Sequence, residues 1–319
     1  MVRHCKERPY WTLRLRLNLS EKLRAMTELP KDDAGYLNHT SIPNYFKPLK
    51  KLFDMCDVTI PWKRVYATYP ELDNVTESRG WSKGKIVKML RHARDLMDRV
   101  LVLASSGVRA GSLDLAWGDV TPVYLIDGRL VPDPGPGDHK IACAALRVYR
   151  GSSECYTTFI TPEAHRALQE YGHDIWRELR GREAGPADPI FIRSKGAPVR
   201  ASEKLLEKRI RRMVTLARLH DPEGGRVRRH KVPLMNGFGR FFNKVGKEAL
   251  SHDSPLAPLR KKEYMMGHQG TMPLDQNYFK TDVLELAAEY VNIVPDLNID
   301  DSERLKQSNK RMADNIEDG

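Results

Sequence analysis

A chain of 319 residues points to one large or two ordinary domains and can bury a substantial core without metals or disulfides. Its 40% hydrophobic content fits a globular protein, no apolar run reaches bilayer length, and the opening MVRHCKERPYWTLRLRLNLS has neither an unbroken apolar stretch nor a small-residue cleavage site, so neither a membrane span nor a signal peptide is expected. The formal net charge of +11 and pI of about 9.4 favour a polyanionic partner, with nucleic acid ahead of anionic membrane because no basic helix carries a free, strongly apolar opposite face.

Residues 1–75 read as a small helical domain, with short helical patterns between Pro30, Pro43, Pro48, Pro61 and Pro70. Lys47, Lys50 and Lys51 serve equally well there as phosphate contacts or as a solvated helix face. The polar, turn-rich stretch from Pro70 to Gly80 reads as a linker. Ser82 then caps one helix whose buried stripe is Ile86, Met89, Leu90, Ala93, Met97, Val100 and Leu101, stopped by Ser105-Ser106-Gly107.

A β region comes next. Val123–Ile126 and Arg129–Val131 flank Asp127-Gly128, a pair that supplies the positive φ angles of a tight hairpin turn. Lys140–Tyr149 and Cys155–Ile160 flank a second hairpin turn at 151–154. Thr161 and Pro162 open a helix as N-cap and first residue, with Ala164, Leu168, Tyr171, Ile175 and Leu179 facing inward. Residues 181–198 read as loop with one short strand at 190–192. A helix over 203–219 buries Leu206, Ile210, Met213, Val214 and Ala217, and turns Lys208, Arg209, Arg211 and Arg212 mostly outward. Further helices are expected at about 235–250, 256–266 and 282–292. A polar, loosely ordered tail is expected over 301–319. The fold class is therefore mostly α with a small antiparallel β-sheet (α+β).

Cys5, Cys56, Cys143 and Cys155 contain no C-x-x-C pair, which argues against a zinc ribbon. Centring the second turn on Ser152 and Ser153 sets Cys155 opposite Arg150 and not Cys143, so all four read as reduced thiols of a cytoplasmic protein.

Three segments carry the chemistry. The first is Ala104-Ser-Ser-Gly-Val-Arg109-Ala-Gly-Ser-Leu113-Asp-Leu115-Ala-Trp117-Gly-Asp119, with Arg109 at the end of an apolar helix and a helix holding Leu113 and Leu115 after it. An arginine at such a junction can present its planar fork of donors to a phosphate. The second is Asn236-Gly-Phe-Gly239-Arg240-Phe-Phe-Asn243. The third is Gly267-His268 with Tyr278 ten residues on. Taken singly, His268 reads as a helix-end histidine and Tyr278 as a packing residue.

In this order and spacing the segments resemble the tyrosine recombinase (integrase) family, with archaeal-type integrases the nearest match. Tyr69-Pro70, the Val148-Tyr149-x-Gly151-Ser152 hairpin and Phe159-Ile-Thr-Pro-Glu163 resemble archaeal members too, and the resemblance spans roughly residues 40–300. It implies a helical core-binding domain over 1–75, a catalytic domain over 76–300, and transesterification through a 3′-phosphotyrosyl link at Tyr278. Arg109 and His268 would contact the phosphate. It implies no cofactor and no metal, arginines standing where a cation would. It also implies double-stranded DNA as partner, four subunits at the synapse, a nucleoid location and a mobile-element setting.

The chain departs from the family pattern in three places. The His-x-x-Arg of the second box aligns with Asn236 and Gly239, and Arg240 stands one residue, about 100° of helix, further on. The hairpin lysine that acts as general acid is missing. Arg150 is the nearest cation, and a guanidinium holds its protons too tightly to be a good proton donor. Ser112 stands where an acidic residue is common. Three functions stay open: a recombinase rewired around Arg240 and Arg150, a DNA-binding protein with weak or no cleavage, and a single-subunit topoisomerase, which the short N-terminal domain disfavours. The apolar segment Leu284, Leu286, Ala287, Tyr290, Val291, Val294 fits either a neighbouring subunit or its own domain.

Overall fold

The computed structural model describes residues 9–30, 33–60, 62–63, 80–104, 113–135, 137–178, 180–193, 199–219, 234–250, 257–267 and 282–300. These fall into two compact units, residues up to 63 in one and residues from 80 onward in the other.

The first unit holds α1 (Pro9–Glu28) and α2 (Ile42–Met55). A 20-residue helix over 9–28 is longer than the short patterns expected there. Leu23, Leu37, Ile42 and Phe46 form the unit's small core, against which Trp62 sets its ring edge-on, 6.4 Å from Phe46. In α2, Pro43 occupies the first turn, where its missing N–H costs nothing, and Pro48 lies on the exposed side. Lys47, Lys50 and Lys51 are all exposed.

In the second unit α3 (Lys83–Leu90) and α4 (Leu96–Ala104) precede a sheet of β1 (Val120–Ile126), β2 (Arg129–Pro132), β3 (Lys140–Val148) and β4 (Tyr156–Ile160). The sheet is antiparallel, in the order β2-β1-β3-β4. After it come α5 (Pro162–Gly172), α6 (Glu203–Leu216), α7 (Leu234–Leu250), α8 (Ala257–Met265) and α9 (Val283–Leu297). The fold is mostly helical with one small antiparallel sheet, as the sequence implies. Cys143 to Leu146 are buried without alternation, which on a period-2 strand means that both faces of β3 are covered. α5 and α9 pack on it. Tyr290 of α9 is fully buried, its ring 5.3 Å from Phe159 and 6.2 Å from Phe242.

Local turn chemistry works as read. Ile126 pairs with Arg129 across Asp127 (φ 47°) and Gly128 (φ 73°), a two-residue turn. Thr161 Oγ1 accepts from the Ala164 amide at 3.2 Å, with Pro162 first in the helix. Cys56, Cys143 and Cys155 form no disulfide among the described residues. The observed register pairs Val148 with Tyr156, one residue away from the register expected for the second hairpin.

Other expectations are corrected. The helix expected from Ser82 breaks at 91–95, because Asp95 Oδ1 accepts from the Asp98 amide and starts a new helix there, while Asp98 Oδ2 accepts from the Arg94 amide. Ser82 holds the N-cap position without a side-chain cap bond. α5 passes into a π-helical turn at His173–Glu178, whose wider winding buries Trp176 and leaves Ile175 half-buried. Ile190–Ile192 is buried but joins only isolated bridges, Ala116 with Pro189 and Ile192 with Arg200. Leu113 and Leu115 are buried; Leu113 ends a 3-10 turn, and no helix runs over 114–116. The Ile190 amide donates to the Leu115 carbonyl and the Trp117 amide to the Asp188 carbonyl, which ties this stretch to its neighbour.

Arg209, expected to face outward, has a side chain only 11% exposed. Its Nε donates to Asp98 Oδ1 at 2.7 Å, and it also pairs with Asp95. Burial pushes the Asp95 carboxyl up, but the Arg209 and Asp98 hydrogen bonds with the charges of Arg209 and Arg94 outweigh it and hold the group below its ordinary value.

In α9 most of the apolar segment after Tyr278 packs on its own unit. Leu286, Ala287, Tyr290, Ile293, Val294 and Leu297 are buried within their own unit. The helix runs five residues past the expected end, through Pro295, and Glu163 Oε2 anchors the chain just beyond it by accepting from the Ile299 amide at 2.8 Å.

Candidate functional site

Asn236, Gly239 and Arg240 stand in the first half of α7. Its apolar side is fixed by Met235, Phe238, Phe241, Phe242 and Val245, all in the core. At helical spacing that stripe leaves Asn236 exposed and Gly239 and Arg240 half-buried on the other side. Trp81 staples the start of the helix. Its amide donates to the Gly237 carbonyl at 3.0 Å and its Nε1 to the Leu234 carbonyl at 2.8 Å.

Gly80, one residue earlier, lies so close to α7 that a Cβ there would fall 2.7 Å from the Phe241 amide nitrogen and 3.0 Å from Arg240 Cβ. Among the described residues, a Cβ at Gly239 meets nothing within 4 Å, so the position aligned with the family's second arginine has room for a side chain. Arg240 Nη1 is buried and has no hydrogen-bond partner among the described residues.

Arg150 sits in the turn between β3 and β4, flanked by Tyr149 (φ 54°) and Gly151 (φ 83°). Its side chain is more than half exposed, and Nη1 lies 3.6 Å from Oδ1 of the buried Asp119. Asp119 Oδ2 meanwhile accepts from the Ala116 amide at 2.9 Å. The Trp-x-Asp end of the first segment thus reaches the hairpin turn through one carboxylate, a partnership the sequence reading missed because it is long-range and side chain to side chain.

The same turn meets the third segment. The Tyr149 ring lies 6.1 Å from the Tyr156 ring. Gly267, at φ 68°, ends α8 against Tyr156, and a Cβ on it would fall 2.7 Å from the Tyr156 ring. Only glycine combines that left-handed conformation with that approach. His268 is the next residue in the chain. Arg109, His268 and Tyr278 themselves lie outside the described residues.

Tyr264, the other tyrosine of the third segment, is half-buried, and burial followed by the neighbouring Cys155 pushes its phenol up, away from nucleophilic use. Lys262 is buried, donating to Asn243 Oδ1 at 2.6 Å and pairing with Glu263 at 2.9 Å. Among the described residues, one group has metal-ligand character: His173, Asp174 and Glu178 bring their ligand atoms within 4.8 Å of one another, all exposed. No described helix is long and apolar enough to cross a membrane.

No family model matches the chain, and no curated protein matches it. Among solved structures it is similar to XerA recombinase, at 16% identity over 90% of this chain and 93% of that one, with a TM-score of 0.39. It is similar to XerH site-specific recombinase bound to difH substrate in a pre-cleavage complex, at 18% identity over 86% and 68% of the two chains, with a TM-score of 0.47. A lambda integrase dimer bound to a COC′ core site gives 13% identity, 88% and 96% coverage and a TM-score of 0.41.

Proposed function

We propose that the protein is a site-specific DNA recombinase that cuts and rejoins duplex DNA by transesterification, with Tyr278 as nucleophile. The observation that carries this reading is the meeting at Tyr156. The hairpin turn bearing Arg150 and the Gly267 that leads into His268 both pack on that ring. Arg150 and Gly267 are more than a hundred residues apart in sequence, and their common contact with this ring supports the reading that the two segments serve one site.

The chemistry comes from the residue types. A phenol with an ordinary pKa near 10 needs a positive field or a proton acceptor before it attacks phosphorus. The attack forms the tyrosyl O–P bond and breaks the P–O5′ bond, and the leaving 5′ oxygen takes up a proton. Rejoining reverses these steps, so the phosphodiester energy is kept in the protein–DNA ester. Arg109 and His268 are the groups proposed to neutralise and hydrogen-bond the nonbridging oxygens. Asn236 donates a hydrogen bond where the family has histidine, but it does not act as a base.

We assign the core-binding role to residues 1–75, the catalytic role to 76–300 and a tail to 301–319. Four subunits at a synapse, a nucleoid location and an archaeal mobile element are the setting that goes with this reading.

A second reading is favoured by two observations: Gly239 offers no side chain to a phosphate, and the charge of Arg150 is shared with Asp119. On this reading the protein binds DNA on the same fold and cleaves it weakly or not at all. Incubation with supercoiled plasmid carrying a library of target sites, quenched with detergent, separates the two. DNA-linked protein supports the recombinase, and binding without any adduct supports the DNA-binding protein.

A further inference from the structure

Two buried cations among the described residues are held by acceptors. Arg209 has Asp95 and Asp98, and Lys262 has Glu263 with Asn243. Even the exposed Arg150 has Asp119. Arg240 differs from these two buried cations, because its Nη1 is buried with no acceptor among the described residues, although the residue as a whole is half-buried. An unpaired guanidinium nitrogen removed from water is costly, and a bound ligand oxygen would offset that cost by supplying the missing acceptor. An oxyanion with at least two acceptor oxygens suits the planar fork best.

The surroundings suit an oxyanion. Asn236 is four residues earlier on α7, so its side chain stacks on the same face and adds an amide donor. Gly239, the residue before Arg240, has open space where its Cβ would stand. Gly80 lies against Arg240 Cβ and lets the chain pass without a side chain there.

We propose that Arg240 and Asn236 form an oxyanion site for a phosphodiester, and that of the two cations near the departures from the family pattern Arg240, not Arg150, takes the phosphate contact absent at Gly239. The identification of the anion as a DNA phosphate rests on the function proposed above. The existence of the site does not.

The test uses the full chain with Arg240→Met and Asn236→Ala. Thermal midpoints are compared in phosphate-free buffer and with inorganic phosphate, using chloride at matched ionic strength as control. Met keeps the apolar stem and removes the unpaired charge, so without phosphate Arg240→Met is expected to melt no lower than the parent chain. Phosphate raises the parent midpoint by about 1–3 °C beyond chloride when it is about tenfold above its dissociation constant. That increment is expected to vanish in Arg240→Met and to shrink in Asn236→Ala, whose exposed side chain is not needed for folding. An increment that survives in both variants overturns the site.

In detergent-trapped adduct assays, Arg240→Met is expected to lose about ten- to a hundredfold, the worth of one charged hydrogen-bonded contact. Arg150→Gln is expected to lose less. An unchanged adduct yield in Arg240→Met overturns the assignment to the phosphate contact while leaving strand transfer intact. An Arg240-dependent phosphate increment with no adduct in any variant upholds the site and sinks the recombinase reading.

Discussion

Gly239→Arg is the substitution on which the alignment of the second segment turns. The position is inside a 17-residue helix, and a Cβ there meets no described atom within 4 Å. Adding a side chain therefore costs no packing. A glycine inside a helix is less favourable than arginine by roughly 0.7 kcal/mol, because it loses more backbone freedom on folding. The variant is thus expected to melt about 1–3 °C higher than the parent chain.

If position 239 faces the reacting phosphate, the new guanidinium adds a charge-assisted contact that strengthens as charge develops on the nonbridging oxygens. Such a contact is worth roughly 1.5–3 kcal/mol, or about ten- to a hundredfold in cleavage rate. The assay is the initial rate of detergent-trapped adduct on a cleavable site, run beside a thermal melt. A variant that melts as high as expected and cleaves no faster refutes the reasoning, because the side chain is then present and stable but not at the phosphate.

Three further outcomes are expected. Gly267→Ala forces a non-glycine residue to φ 68° and sets its Cβ 2.7 Å from the Tyr156 ring; the two effects together cost about 2–4 kcal/mol, read as a lowered denaturant midpoint, and an unshifted midpoint contradicts the close approach. Burial lowers the His165 pKa to about 4, so the unfolded chain takes up a proton near pH 6.5 that the folded chain refuses until about pH 4. This stabilisation is complete above pH 6.5 and is lost as pH falls toward 4, by roughly 3 kcal/mol, and His165→Phe is expected to flatten that part of the stability profile. DNA affinity is expected to fall by roughly a thousandfold or more between 50 and 200 mM salt, as for a protein that contacts six or more phosphates. A shallow slope in a binding titration contradicts a clamp on the duplex.

What the sequence disclosed and what it concealed divide along a physical line. Asp127-Gly128, Thr161-Pro162 and the apolar spacing of α7 act through neighbours a few residues away, and each is legible. The break at Asp95 is concealed because the apolar spacing continues across it, while Asp95 and Asp98 bind backbone amides and hold Arg209 from a distant helix. The π-turn at 173–178 is concealed for a similar reason, since an α-helical stripe names Ile175 and the fold buries Trp176.

In the candidate site the residue types are legible and their partners are not. Arg150 falls in its turn as expected, but the Asp119 carboxylate that meets it comes from the other end of the sheet region. Asn236, Gly239 and Arg240 fall on one helix as expected, but no local pattern signals that Arg240 buries a nitrogen without an acceptor among the described residues.

The central claim is that Tyr278 attacks phosphorus, and the most direct test identifies the atom that becomes linked to DNA. Adducts trapped from a cleavage reaction are digested with nuclease and protease, and the peptide carrying the residual nucleotide is sequenced by mass spectrometry. The account predicts a nucleotide on the Tyr278 phenol and no adduct from Tyr278→Phe, with DNA binding retained. A nucleotide on any other residue, or an adduct that persists in Tyr278→Phe, contradicts it.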